Sequence, residues 1–270
     1  MKDRILETLQ ETKRKHPEFT ALLDLQREVL TAQLAVKQRL TESPIIDRAE
    51  VAARLASGTP ALAFDELNLD WPVFERLLVQ MAEIAHRHEV GTQVGTAVEL
   101  PSQLEEVAAP RPSRDVVQEW YQGSNPADEV LSPLIASAMW PFLAHAAEMI
   151  GPDIDQASWR RGFCPVCGGK PDFACLDRES GARHLFCSRC DTQWLFPRLE
   201  CPFCGIQDPA NLAYYPSEDG AYRLYVCESC RCYLKTIDLR ETGRKVLLPI
   251  ERILTLGMDV AATEAGYRPG

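Results

Sequence analysis

RGFCPVCGGKPD (Arg161–Asp172) and LECPFCGIQDP (Leu199–Pro209) share a Cys-Pro-x-Cys-Gly core, so one small turn is written twice in this chain. Each copy is followed by a further Cys-x-x-Cys: Cys187/Cys190 after Cys164/Cys167, and Cys227/Cys230 after Cys201/Cys204. Taken in order, the pairs read C-x2-C-x19-C-x2-C and then C-x2-C-x22-C-x2-C. The first lies inside the usual four-cysteine ribbon spacing and the second slightly beyond it. A tetrahedral site for a soft metal needs four thiolates, and a two-residue gap lets one tight turn offer two sulfurs to the same ion. Gly168 and Gly205, after the second Cys of each first knuckle, permit positive φ, so that backbone N–H groups can face the sulfurs. Pro165 and Pro202 stiffen the turn entries.

The expected metal ligands are therefore Cys164, Cys167, Cys187 and Cys190 for one ion and Cys201, Cys204, Cys227 and Cys230 for a second. This sequential pairing is preferred to a cross-braced one joining the first pair with the third. Four thiolates suit zinc or a single iron, and spacing does not separate them. Small ribbons of this kind draw much of their folding energy from the ion, on the order of 10 kcal/mol for structural zinc. Two cysteines remain. Cys175 reads as a small buried hydrophobe, and Cys232, in the CxxCxC string with Cys227 and Cys230, is a possible extra thiol beside a site.

All ten cysteines fall between Cys164 and Cys232, which marks the strongest composition break in the 270-residue chain. The charged start, MKDRILETLQETKRK, lacks an apolar signal-like run, so the expectation is a cytoplasmic protein with reduced thiols. Net charge is −10, with 14 Lys/Arg against 25 Asp/Glu over residues 1–158 and 13 against 11 over residues 159–245. That distribution argues against a nucleic-acid partner. Val130 to Ala144 is uncharged but short and holds Pro133 and Pro141, so it reads as a core helix and no membrane span is expected.

Helical spacing dominates the first part: Phe19 to Leu40, Asp47 to Leu55 with Gly58 as cap, Val73 to Ala85, Ser113 to Tyr121, and Asp128 to Ile150 with a bend at Pro141. Val94 to Pro112 reads as a loop with a turn of helix at Leu104 to Ala108. Beyond the break, short strands are expected at Arg183–Phe186, Gln193–Phe196, Leu212–Tyr215, Tyr222–Val226 and Tyr233–Asp238, with a helical tail from Ile250. The fold class is α+β multidomain: an all-helical domain over 1–158, four-cysteine rubredoxin-like modules over 159–196 and 197–245, and a helical tail over 246–270. His16, His86, His88, His145 and His184 are not expected to bind metal. No nucleophile elbow, phosphate loop, HExxH or dinucleotide fingerprint is present, so no catalytic residue is assigned.

The strings CPVCGGKP (164–171), LFCSRCDTQW (185–194), PRLECPFCG (197–205) and YVCESCRCYLK (225–235) resemble the formate dehydrogenase accessory protein FdhE family, as does the tail from Leu247. The resemblance implies tandem rubredoxin-like or zinc-ribbon modules, with the eight paired cysteines as ligands. It implies iron as the favoured metal, zinc being the alternative. It also implies a non-enzymatic cytoplasmic maturation factor that binds the catalytic subunit of the molybdoenzyme formate dehydrogenase. Arg231-Cys232 departs from the expected Gly after the last pair, so a different backbone turn is expected at the fourth knuckle. Docking is expected through knuckle loops, with Trp194 and Arg198 as candidate partner-binding residues; an exposed Trp194 supports this reading and a buried one weakens it. The competing readings are a zinc-ribbon nucleic-acid binder using Arg178, Arg183, Arg189, Arg198 and Arg223, and a rubredoxin-type electron carrier. The sequence leaves the oligomeric state open.

Overall fold

The computed structural model describes residues 2–40, 47–88, 111–124, 129–155, 157–242 and 246–270. The expected loop and turn within Val94 to Pro112 lie almost wholly outside these residues. By packing, the chain divides into two compact units: Met1–Ile45 with Ala63–Ala146, and Ile46–Leu62 with Ala147–Gly270.

The helical unit contains α1 (Lys2–Lys15), α2 (Thr20–Lys37), α4 (Trp71–Arg87), α5 (Arg114–Gln122) and most of α6 (Leu131–Ile150). Helix α1 escapes periodicity reading because charged residues crowd its apolar positions; Leu9 is its buried anchor, and Lys13 pairs with Asp24 of α2 at 2.6 Å. Asp70 and Ser113 start α4 and α5 by accepting from the N–H groups of Val73 and Val116, three residues on. Phe74, Leu77, Leu78, Met81 and Ile84 of α4 form the buried stripe expected of a period of 3.6. Helix α6 carries Pro141 within it and buries Ile135, Met139 and Leu143. The stretch Leu131–Asp153 is long and apolar enough to cross a membrane, but half of it is buried inside the protein. Ser137 ties it in: Gln33 of α2 donates to its carbonyl oxygen at 2.8 Å, and its hydroxyl donates to Met81 Sδ.

In the cysteine-rich unit the helix α3 (Arg48–Ser57) is bounded by Asp47, which accepts from Ala49 N–H, and by Gly58 at φ 77°. The chain after it hydrogen-bonds to the first knuckle, with Ala61 N–H donating to Pro165 O and Leu62 N–H to Val166 O. Seven strands follow in one sheet: β1 (Pro171–Leu176), β2 (Arg183–Cys187), β3 (Gln193–Leu195), β4 (Leu212–Pro216), β5 (Tyr222–Cys227), β6 (Cys232–Asp238) and β7 (Arg268–Pro269). Their order is β3-β2-β1-β6-β5-β4, with β7 added beside the start of β6.

Each ribbon is antiparallel, and the two are joined by a parallel pairing of β1 with β6, from Phe173 opposite Lys235 to Leu176 opposite Asp238. Both knuckle units therefore share one hydrogen-bonded sheet. Five of these seven strands fall where the sequence indicates them; β1 and the two-residue β7 do not.

The expected C-terminal helix is two short helices, α7 (Leu248–Leu254) and α8 (Leu256–Glu264), which pack on the sheet. Buried Glu251 accepts from the Tyr222 hydroxyl at 2.6 Å, and Asp259 pairs with Lys235 at 2.6 Å while accepting from the Tyr233 hydroxyl. Arg252 reaches the first ribbon: it forks onto Asp172 at 2.7 and 2.9 Å, pairs with Asp191 at 2.9 Å and donates to Cys187 O. Burial works against its charge, yet the two carboxylates hold its pKa above the ordinary arginine value.

Removing one partner from such a cluster leaves uncompensated charge. Arg252→Ala is expected to destabilise the cysteine-rich unit by about 2 kcal/mol, lowering its thermal midpoint by about 4–8 °C. Arg252→Lys should recover only part of this, because an ammonium cannot reproduce the forked contact. Melting curves of the three proteins with metal bound check this; coincident curves would show that the cluster contributes nothing.

Candidate metal centres

Each site is built from two knuckles that solve the same local problem. The backbone must turn sharply enough for Cys-x-x-Cys to aim both sulfurs one way, and in all four knuckles the residue after the second Cys takes the left-handed conformation. Gly168 lies at φ 72°, Asp191 at 59°, Gly205 at 74° and Arg231 at 57°. The N–H of that residue closes the turn by donating to the carbonyl of the first Cys, at 3.0, 3.2, 2.9 and 2.9 Å respectively. The different turn expected at Arg231-Cys232 is thus corrected: the fourth knuckle has the same backbone as the others.

For a side-chain-bearing residue this conformation costs on the order of 1 kcal/mol. Arg231 offsets that cost through its side chain, which pairs with Glu228, donates to Ala265 O at 2.8 Å and lies 3.9 Å over the Tyr267 ring. Gly169 answers a different need, since a Cβ there would stand 2.8 Å from Cys187 Sγ.

The eight paired cysteines come together in two groups, Cys164/Cys167/Cys187/Cys190 and Cys201/Cys204/Cys227/Cys230, with all four sulfurs of a group within 4.8 Å of one another. In the first, Cys164–Cys190, Cys167–Cys187 and Cys167–Cys190 are each 3.5 Å apart; in the second, Cys201–Cys230 and Cys204–Cys227 are 3.7 Å apart. A tetrahedron with metal–sulfur bonds of about 2.3 Å places its sulfurs about 3.8 Å apart. The donor set and its spacing therefore fit a four-thiolate ion in each group.

Backbone N–H groups face the sulfurs of the second site: those of Cys204 and Phe203 toward Cys201, of Ile206 toward Cys204, of Cys230 and Ser229 toward Cys227, and of Cys232 toward Cys230. Arg189 N–H donates to Cys187 Sγ in the first site. Such donors stabilise thiolate charge.

The two sites differ in exposure. All four cysteines of the first are buried, whereas in the second Cys204 is exposed and Cys230 half-buried. Cys232 begins β6 outside the four-sulfur group; its thiol is buried and directed at Cys230 O, 3.6 Å away. Cys175 packs among Phe173, Phe186 and Ile237, where burial, with the nearby Asp177 charge, pushes its pKa to about 11. At neutral pH it is a protonated core thiol.

Trp194 is fully buried opposite Leu185 of β2, which weakens docking through this residue, and its indole N–H donates to Arg161 O at 2.9 Å. That backbone partner lets the whole ring enter the core. Arg198 is exposed on the loop before the second site, where Leu199 and not Trp194 is the apolar neighbour, 69% exposed. His184 is half-buried, and burial lowers its pKa.

The fold and these sites define a protein with two four-cysteine groups, each able to hold a metal ion, on a shared sheet. The family model for the FdhE central domain matches residues 163–198. A protein FdhE homolog of Aquifex aeolicus is 29% identical over 94% of this chain and 88% of its own. One from Pectobacterium carotovorum is 30% identical over 50% of this chain and 45% of its own, so that match spans less than half of the relative. The crystal structure of the FdhE protein from Pseudomonas aeruginosa superposes with a TM-score of 0.69 at 23% identity, covering 100% of this chain and 94% of that one, and so shares the fold. The resemblance drawn from the cysteine strings is borne out: the chain is similar to FdhE proteins along most of its length.

Because the second site touches solvent and the first does not, metal release should be biphasic. A thiol-competing chelator is expected to remove about one ion per chain quickly and the second only as the cysteine-rich unit unfolds. Cys201→Ser/Cys204→Ser should abolish the fast phase and leave the slow one. Release in a single phase from the wild-type chain would contradict this difference between the sites.

Proposed function

We propose that the protein is a metal-dependent accessory factor for formate dehydrogenase maturation, acting in the cytoplasm by binding the catalytic subunit of that molybdoenzyme and carrying two ions, iron favoured over zinc. The observation that carries the reading is the pair of four-sulfur groups mounted on one sheet, alongside a sequence with none of the catalytic motifs sought in it. Family resemblance supplies the enzyme partner. The eight paired cysteines are its proposed ligands and Arg198 its proposed docking residue, now next to Leu199 in place of Trp194. We assign the domains as 1–158, 159–196, 197–245 and 246–270, with α3 packing with the ribbons.

The nucleic-acid reading loses two of its five arginines: Arg183 is buried and Arg223 is paired with Asp238 at 2.6 Å. A rubredoxin-type electron carrier keeps one supporting observation, the exposed Cys204 at the second site, through which an electron could pass.

In cells making formate dehydrogenase but lacking this chain, the wild type should restore formate oxidation and co-purify with the catalytic subunit, while Arg198→Glu/Leu199→Glu should retain both metals and lose co-purification. If the loop variant rescues and binds as well as wild type, docking through Arg198 is wrong. If the wild type neither rescues nor co-purifies, the maturation reading is wrong.

A further inference from the structure

Strand β2 serves both four-cysteine groups. It ends on Cys187, a member of the first group, and begins on Arg183, whose side chain lines a cavity of about 460 Å³ beside the second. Cys201 and Cys227 of the second group stand in the same lining, with Tyr225 and the 198–203 loop.

Arg183 is only 3% exposed, and a charged side chain is rarely buried so far unless it is held and matched. Its guanidinium lies 5.2 Å from the Phe196 ring centre and 5.8 Å from that of Tyr225. One terminal nitrogen donates to the carbonyls of Pro197 and Glu200. Glu200 directly precedes Cys201, so the cation is fastened to the chain where the third knuckle begins. Burial draws the pKa of Arg183 down to about 10, with Tyr225, Cys201 and Glu200 pulling the other way and Arg198 adding to the fall; it remains charged at neutral pH.

The two side-chain charges on the facing loop oppose each other. Glu200, which also accepts from Gln207 at 2.9 Å, attracts the guanidinium, and exposed Arg198 repels it. The anion left to match it is the second group itself, since four thiolates outweigh a divalent ion by two negative charges and a trivalent ion by one. Charge in a half-buried wall is weakly screened, so a fixed cation there favours the more negative state. Arg252, which donates to Cys187 O beside the first group, is already matched by Asp172 and Asp191.

We propose that Arg183, carried by the first ribbon, is the counter-charge of the second metal centre: a positioning residue that holds the start of the Cys201 turn and stabilises the reduced, more negative state of an ion bound there. The inference rests on the reading that the second four-cysteine group holds an ion, and extends it by letting one ribbon set the electrostatics of the other's centre.

The test uses the metal-loaded full chain in two forms. Zinc affinity is read by chelator competition, and iron-loaded protein is titrated at an electrode, each ferric ion taking up one electron to become ferrous. Arg183→Met and Arg183→Gln should each weaken the more labile zinc ion about tenfold and lower one iron couple by about 60 mV, the one-electron equivalent of tenfold. The other ion and couple should not move. Arg183→Lys keeps the charge but cannot reproduce the guanidinium's planar contact, so it should restore most of both values.

Glu200→Gln leaves Arg183 in place, and its amide oxygen can still accept from Gln207. It should tighten the labile zinc ion severalfold and raise the same iron couple. Wild type that takes up no ion at Cys201, Cys204, Cys227 and Cys230 would overturn the metal reading and this proposal with it. With both ions bound, the proposal alone is overturned by Arg183→Lys behaving no better than Arg183→Met, by shifts shared equally between the two ions, or by a labile ion that Glu200→Gln leaves unmoved.

Discussion

The left-handed residue that closes each Cys-x-x-Cys turn is the constraint on which the cysteine-rich unit depends. Without it the two sulfurs of a knuckle diverge, no four-sulfur group forms, and a region of short strands and turns has little to order it. Glycine meets the requirement at Gly168 and Gly205 at small steric cost, while Asp191 and Arg231 meet it with side chains recruited to other tasks. Asp191 accepts the Arg252 guanidinium, and Arg231 gathers Glu228, Ala265 and Tyr267. The C-terminal segment thereby grips both nonglycine knuckles, tying their left-handed backbone to the docking of the tail.

The parallel β1–β6 pairing then makes two ribbons into one sheet. It places an enclosed site and a solvent-touching site on a common support, and it leaves the sheet with different environments on its faces. Helices α7 and α8 cover one face of the second ribbon, and the opposite face, with the 198–203 loop, encloses the cavity that holds Arg183. The arrangement separates a buried four-cysteine group from a surface region where the second group, the 198–203 loop and the cavity adjoin.

Much of this was legible in the chain because cysteine spacing, caps and alternation are local signals. Asp47 and Gly58 bound α3 as read, and five strands fall where aromatic and β-branched runs indicated. What escaped was decided by partners distant in sequence. Strand β1 is held between β2 and β6, the latter about sixty residues on; α1 hides its stripe under charge, and Trp194 is buried where Arg161 O accepts its indole N–H. Arg231 looked like a broken knuckle because the groups that support its backbone lie in the tail, more than thirty residues on in the case of Ala265. The cavity had no sequence signature, since it combines residues of both ribbons.

The most direct measurement is metal content per chain, with metal-edge X-ray absorption, on anaerobically purified wild type and on Cys227→Ser/Cys230→Ser. Two ions per chain, each in an all-sulfur shell at about 2.3 Å, falling to one unchanged all-sulfur site in the variant, is the result predicted for two sequentially paired four-thiolate centres. Loss of both ions in the variant, or a shell with fewer than four sulfurs in the wild type, would contradict it.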